Sequence, residues 1–167
     1  MQEWQLIRDA IAERLEEVEG IGHVALWAPD ITSFKSLKGL LSATGSRNAQ
    51  DQAIDRVNLW FLERSGFDSR RGGMGAGVPI GHYQHAETFT ISGFYSYTGE
   101  ASYNAFQDIL ENLREKFIQE ISLGHPERDW LSGPTEGHVD MADFFGIPCH
   151  TCTMDVEVNY SRNAGYR

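Results

Sequence analysis

The hydrophobic period changes abruptly between residues 85 and 121. From His85 to Tyr97 the chain alternates, with Phe89, Ile91, Phe94, Tyr95 and Tyr97 as its aromatic and branched members. A polar turn follows at Thr98-Gly99-Glu100, and then an amphipathic run from Ala101 to Ile121. A period of two that gives way to 3.6 reads as a strand feeding a helix. Phe106, Ile109, Leu110, Leu113, Phe117 and Ile121 share one helical stripe, while Asp108, Glu111, Asn112, Glu115 and Lys116 lie toward the other side. Ser102 is a candidate cap. Such a stripe needs an apolar sheet beneath it. Phe89 and Ile91, or the alternate row containing Phe94, are the residues to provide it.

The flanking segments extend the pattern. Residues 2–19 read as an amphipathic helix with Trp4, Ile7, Ile11, Leu15 and Val18 on one stripe and Gly20 as its C-cap. Residues 21–28 are a connector or short strand, and 30–41 fit about two helical turns. Residues 42–55 are loop-like. In 56–63, Val57, Leu59 and Phe61 alternate with Asn58, Trp60 and Leu62, so a strand there would be covered on both faces. Residues 65–82 read as a long glycine-rich loop, the arm of a hairpin. Residues 122–135 are turn-rich, with Trp130 and Leu131 as an anchor. Strands are expected near 138–145 and at the end, where Cys152, Met154, Val156, Val158 and Tyr160 alternate with polar residues. Residues 161–167 read as a polar tail. The expected fold is α+β: one domain over 1–167, with a mostly antiparallel sheet, an N-terminal helix and a long central helix on one face, and a long hairpin arm. Phe89, Ile91, Phe106, Ile109, Leu110, Leu113, Val156 and Val158 are its expected core.

Bulk properties narrow the function. The 167 residues carry a net charge of −10, which disfavours a general nucleic-acid binder because such proteins present a basic face. The chain starts without a basic and apolar leader, and no apolar run approaches the roughly 20 residues of a membrane span. Synthesis in the cytosol and no membrane partner are therefore expected. Two cysteines are too few for a disulfide scaffold.

The motifs that carry chemistry are sparse. Cys149-His150-Thr151-Cys152 has the spacing of a redox pair, but it lies in the final strand rather than at a helix N-terminus, where thiol pKa values fall. A zinc site would need two more ligands, for which His138 and His125 are the candidates. The alternative is that both cysteines are packing residues. Gly73-Met74-Gly75-Ala76-Gly77 lacks the spacing of a phosphate loop. His82 and His85 read as a polar strand entry rather than a metal site. Arg70-Arg71 is either a solvated turn or a contact point for an acidic partner. No catalytic constellation, metal site or cofactor site is expected. Function is instead placed in the arm, at Phe67, Arg70, Arg71, Met74, Val78 and Ile80.

The N-terminal amphipathic helix, the hairpin with its long loop, the run Phe89-Thr-Ile-Ser-Gly-Phe-Tyr-Ser-Tyr97, the helix bearing Phe106, Ile109, Leu110 and Leu113, and the closing strand Met154-Asp-Val-Glu-Val-Asn-Tyr160 follow one another in that order. In this order and texture the chain resembles the tail terminator (tail completion, minor tail) proteins of long-tailed bacteriophages. The resemblance implies an α+β virion subunit, made in the host cytoplasm. It would form a homo-oligomeric ring, a hexamer in that family, at the tail or neck. The ring would cap the tail tube protein and meet the head–tail connector, with DNA passing through its lumen without specific binding. Other head–tail joining or tail-tube-like proteins share that fold and stay open as alternatives. A thiol redox or metal-binding protein built on Cys149 and Cys152 is the alternative of a different class, and a small adaptor acting through 65–82 is a third.

Overall fold

The computed structural model describes residues 2–26, 57–71, 82–119, 123, 129–135 and 137–163. In chain order the elements are α1 (Glu3–Glu16), β1 (His23–Ala25), β2 (Asn58–Arg71), β3 (His82–Ser96), α2 (Glu100–Gln119), β4 (Asp129–Ser132), β5 (His138–Phe144) and β6 (Ile147–Asn163). The short helix expected over 30–41, the loop over 42–55 and the glycine run 73–77 lie outside the described residues. The class is α+β, as the change of period implies.

One sheet runs β1-β2-β3-β6, and both β4 and β5 pair with the far side of β6. Every pairing is antiparallel except β1 with β2. The register explains the two-sided apolar pattern of β2. Trp60 stands opposite Gly93, which stands opposite Cys152; one step along, Leu59, Phe94 and Thr151 align. Since side chains alternate across a sheet, these rows face opposite ways. The first face meets the helices. Ile7, Ile11 and Leu15 of α1 and Phe106, Ile109, Leu113 and Phe117 of α2 close over Trp60, Leu62, Phe89, Ile91, Val156 and Val158. Leu110 packs at the margin of this core, half-buried. Burying each large side chain stabilises by about 1.5–3 kcal/mol. The second face carries a smaller cluster of Val57, Leu59, Phe61 and Cys149, joined by Phe94, Phe144 and Ile147. Phe89 and Ile91 therefore serve the helices, and the Phe94 row serves the opposite side.

Several boundaries differ from expectation. Of the region read as a loop over 65–82, residues 65–71 and His82 are strand, and 72–81 lie outside the described residues. Ser65, Gly66, Asp68 and Ser69 are turn-forming residues, yet each of the last three pairs with β3, and a bulge between Arg64 and Gly66 takes up the irregularity. The turn-rich stretch containing Trp130 and Leu131 holds β4, because the long β6 offers a free edge there. Of the expected polar tail, Ser161, Arg162 and Asn163 are strand, paired with Gln84, Tyr83 and His82, and 164–167 lie outside the described residues. Helix α1 ends at Glu16 with Glu17 as C-cap, so Gly20 (φ +84°) serves a later turn instead. Helix α2 starts at Glu100 and is described to Gln119; Ile121 lies outside the described residues.

Candidate functional site

Two surfaces stand out, one at each end of the sheet. The first is the arm. β2, β3 and β6 are 14, 15 and 17 residues long, and at about 3.3 Å per residue β6 spans about 50 Å. The helices cover only part of that length. Past Leu62 the described side chains of β2 are exposed or half-exposed on both faces. The arm is pinned at its root. Glu87 is buried, and its carboxylate accepts the Arg64 Nε–H at 2.5 Å and the Tyr160 hydroxyl at 3.2 Å. The Arg64 guanidinium lies 5.4 Å from the Trp4 ring of α1 and 4.9 Å from the Phe67 ring, within cation–π range. Further out, Ser69 Oγ and His85 Nδ1 are 2.7 Å apart, and the His85 ring stacks on Tyr160 with centroids 5.1 Å apart.

The residues expected to form an interface on a loop are distributed differently. Phe67 is 71% exposed and sits within β2 opposite Glu87. Arg70 and Arg71 are strand residues opposite Gln84 and Tyr83, not a loop tip. Met74, Val78 and Ile80 lie outside the described residues. On the arm's second face, Gly66, Asp68, Gln84, Ala86, Thr88, Glu157 and Asn159 outline a shallow polar hollow of about 420 Å³.

The second surface lies where α2 begins. Ser102 Oγ accepts the Thr98 N–H (2.9 Å) and donates to the Gly99 carbonyl (2.6 Å), so it ties the turn before α2 to the helix's first turn rather than capping a helical N–H. It also lies 3.3 Å from Nε2 of His150. His150 is buried under Phe106, which stacks on it at 5.6 Å, with Tyr97 and Tyr103 edge-on at 5.4 and 5.8 Å. Burial holds its pKa below the usual histidine value. The Ser102 hydroxyl proton is committed to a backbone carbonyl, so the Ser–His contact is a packing contact rather than an activated nucleophile. Above His150 opens a cleft of about 930 Å³ between α2 and β5. Its apolar wall is Tyr97, Tyr103, Val139 and Met141, each between 42% and 48% exposed.

The two cysteines do not converge. Cys149 stands opposite Ser96 and Cys152 opposite Gly93, and three positions along a strand place their side chains on opposite faces. Cys149 packs in the smaller cluster and Cys152 in the main core. Both are free and buried. Desolvation pushes the Cys149 thiol up to about 11, with Asp143 adding to the shift, and the Cys152 thiol up to about 12. A thiolate nucleophile or ligand needs the opposite environment. Among the described residues, no group of three His, Cys, Asp or Glu side chains comes together as a metal site. No helix among them is long and apolar enough to cross a membrane.

The arm's strand character had little signal in the sequence, since Phe67 is its one large apolar residue between Gly66 and Ser69. The cleft had a fainter one, Tyr103 on the polar side of α2. Comparison with protein-family models and with curated proteins finds no match to this sequence.

Proposed function

We propose that the chain is a self-assembling structural subunit of a phage neck or tail: a ring-forming tail terminator that caps the tail tube and joins it to the head. The observation that carries this reading is the arm. Among the described residues, the outer part of this three-stranded extension runs beyond α1 and α2, and its exposed Phe67 is suited to burial against a neighbour. Among the described residues, β2 from Leu62 to Arg71 has a strand on one side only. An open edge that meets a different surface of its neighbour makes a heterologous contact, and heterologous contacts close into rings when the rotation permits. A subunit charge of −10 suits a lumen through which DNA slides without adhering, since like charges repel.

The tail tube protein and the head–tail connector are the proposed neighbours above and below the ring, and the virion is the proposed location. The redox reading of Cys149 and Cys152 is disfavoured by their opposed faces and raised thiol pKa values. Deleting Arg70–Gly77 tests the role of the arm. The reading expects a folded variant, by circular dichroism and thermal melt, that no longer assembles. A variant that assembles like the parent would overturn the role given to the arm. A variant that assembles but loses a separate partner would favour the adaptor reading.

A further inference from the structure

We propose that β5 and the cleft beside it form a docking site for an extended segment of a partner protein in which apolar and basic residues alternate. The site is distinct from the arm, and the proposal stands whether or not the chain forms rings.

The backbone provides the first argument. Among the described residues β5 pairs with β6 alone, and the side chains from His138 to Asp143 are all exposed. An open strand edge is a template for a further strand. The two faces of β5 then specify what that strand carries. Val139 and Met141 stand opposite Cys152 and His150, on the face that meets the helices, and they border the cleft with Tyr97 and Tyr103. A strand laid along β5 would send every second side chain over this half-exposed wall, where an apolar group is favoured.

The intervening side chains would lie on the other face, beside Asp140. That carboxylate accepts the Met141 amide at 2.7 Å and lies 3.6 Å from Nε2 of His138. An incoming carbonyl can take over the amide and release the carboxylate to a cross-strand neighbour, which favours lysine or arginine there. Glu100 at the cleft mouth and Asp143 stand on the opposite face of this edge, with Val139 and Met141, and add only longer-range negative potential.

The cation has to come from outside the described surface. Arg8, Arg14, Arg64, Arg114 and Lys116 are the lysines and arginines whose side chains are described, and each already faces a carboxylate of its own subunit. With a net charge of −10, a second copy brings predominantly like charge, whereas a basic partner is attracted.

The test uses the full chain and a labelled, end-capped heptapeptide alternating valine and arginine, followed by fluorescence anisotropy. Saturable binding at one peptide per chain is expected, with none for the same peptide carrying glutamate in place of arginine. Asp140→Lys should weaken binding about ten-fold, as an attractive cross-strand pair becomes a repulsive one. Met141→Ser should weaken it several-fold by removing the apolar wall, and it reads the same edge should Asp140→Lys fail to fold. Glu111→Lys makes the same charge change on the exposed side of α2 and should leave affinity unchanged. Absence of saturable binding would overturn the proposal, and so would equal losses for Asp140→Lys and Glu111→Lys, which would mean diffuse attraction. Competition between the peptide and self-association, with Asp140→Lys dispersing the oligomer, would also overturn it by making a second copy the occupant. An assembly that fails while the peptide still binds would count against the ring alone.

Discussion

Replacing Gly93 by alanine should destabilise the fold by about 2 kcal/mol, against the intrinsic preference of a strand for alanine over glycine. Gly93 is the middle residue of the row Trp60, Gly93, Cys152, and the fully buried Trp60 ring lies over it. A Cβ at position 93 would stand 2.5 Å from Cζ3 and 2.8 Å from Cε3 and Cη2 of that ring. Carbon atoms rest at about 3.5–4.0 Å, so the indole must withdraw by about 1 Å. It has little freedom to do so. Its Nε1–H donates to Asn58 Oδ1 at 2.9 Å, and its far side stacks on Phe106 at 6.2 Å. Asn58 in turn accepts the Gly22 N–H at 3.1 Å and donates to the Gly20 carbonyl at 3.0 Å. Moving the ring therefore strains the contact between β2 and the connection leaving α1. Overpacking of this kind costs about 1–3 kcal/mol, partly offset by up to about 1 kcal/mol of strand preference. Urea unfolding should show the loss as a lower midpoint at unchanged slope, and thermal melting as a fall of about 4–8 °C. Trp60→Leu removes the clashing ring, so Trp60→Leu with Gly93→Ala should cost at least about 1 kcal/mol less than the sum of the single changes. A Gly93→Ala protein as stable as the parent, or strictly additive single changes, would refute the account of this contact.

Three further outcomes follow from the same geometry. The pKa of folded His150 is depressed by burial, so between that value and the unfolded value of about 6.5 the unfolded chain binds the extra proton; stability should fall as pH drops below about 6.5, by up to about 1.4 kcal/mol per pH unit from this group, and His150→Gln should flatten that dependence in urea titrations at pH 7 and pH 5. Phe145 occupies the left-handed region (φ +54°) beside Gly146 (φ +82°) in the two-residue turn joining β5 to β6. Asparagine suits that position, so Phe145→Asn should stabilise by about 0.5–1 kcal/mol despite losing the edge contact with Phe144; a lower midpoint would contradict this. Cys149 and Cys152 should resist a disulfide reagent at pH 8 in the native protein and both react in urea; rapid native labelling would show that the burial and raised pKa values are wrong.

What could be read in advance was what depends on local period. The stripes of α1 and α2, the two-sided apolar pattern of Val57 to Leu62 and the alternation of β6 each follow from spacing within one segment. The misread parts depend on partners distant in the chain. Gly66, Asp68 and Ser69 have poor strand propensity, but β3 pairs with them residue by residue, and such pairing outweighs intrinsic preference. β4 is four residues long and adjoins Gly133-Pro134; it exists because β6 extends past β5 and offers it an edge. The cysteines were legible as packing residues from their place in a strand, and the register adds that they serve opposite faces. The cleft was not legible. Tyr97, Tyr103, Met141 and His150 come from a strand end, a helix, a second strand and a third, and only the β5–β6 pairing brings them into one wall.

Mass photometry of the purified chain, alone and with assembled tail tubes, tests the central claim most directly. The account predicts one closed species at an integer multiple of the 18.8 kDa subunit, seen as a ring by negative-stain microscopy and bound at tube ends. A chain that stays monomeric at all concentrations and leaves tube ends uncapped would contradict it.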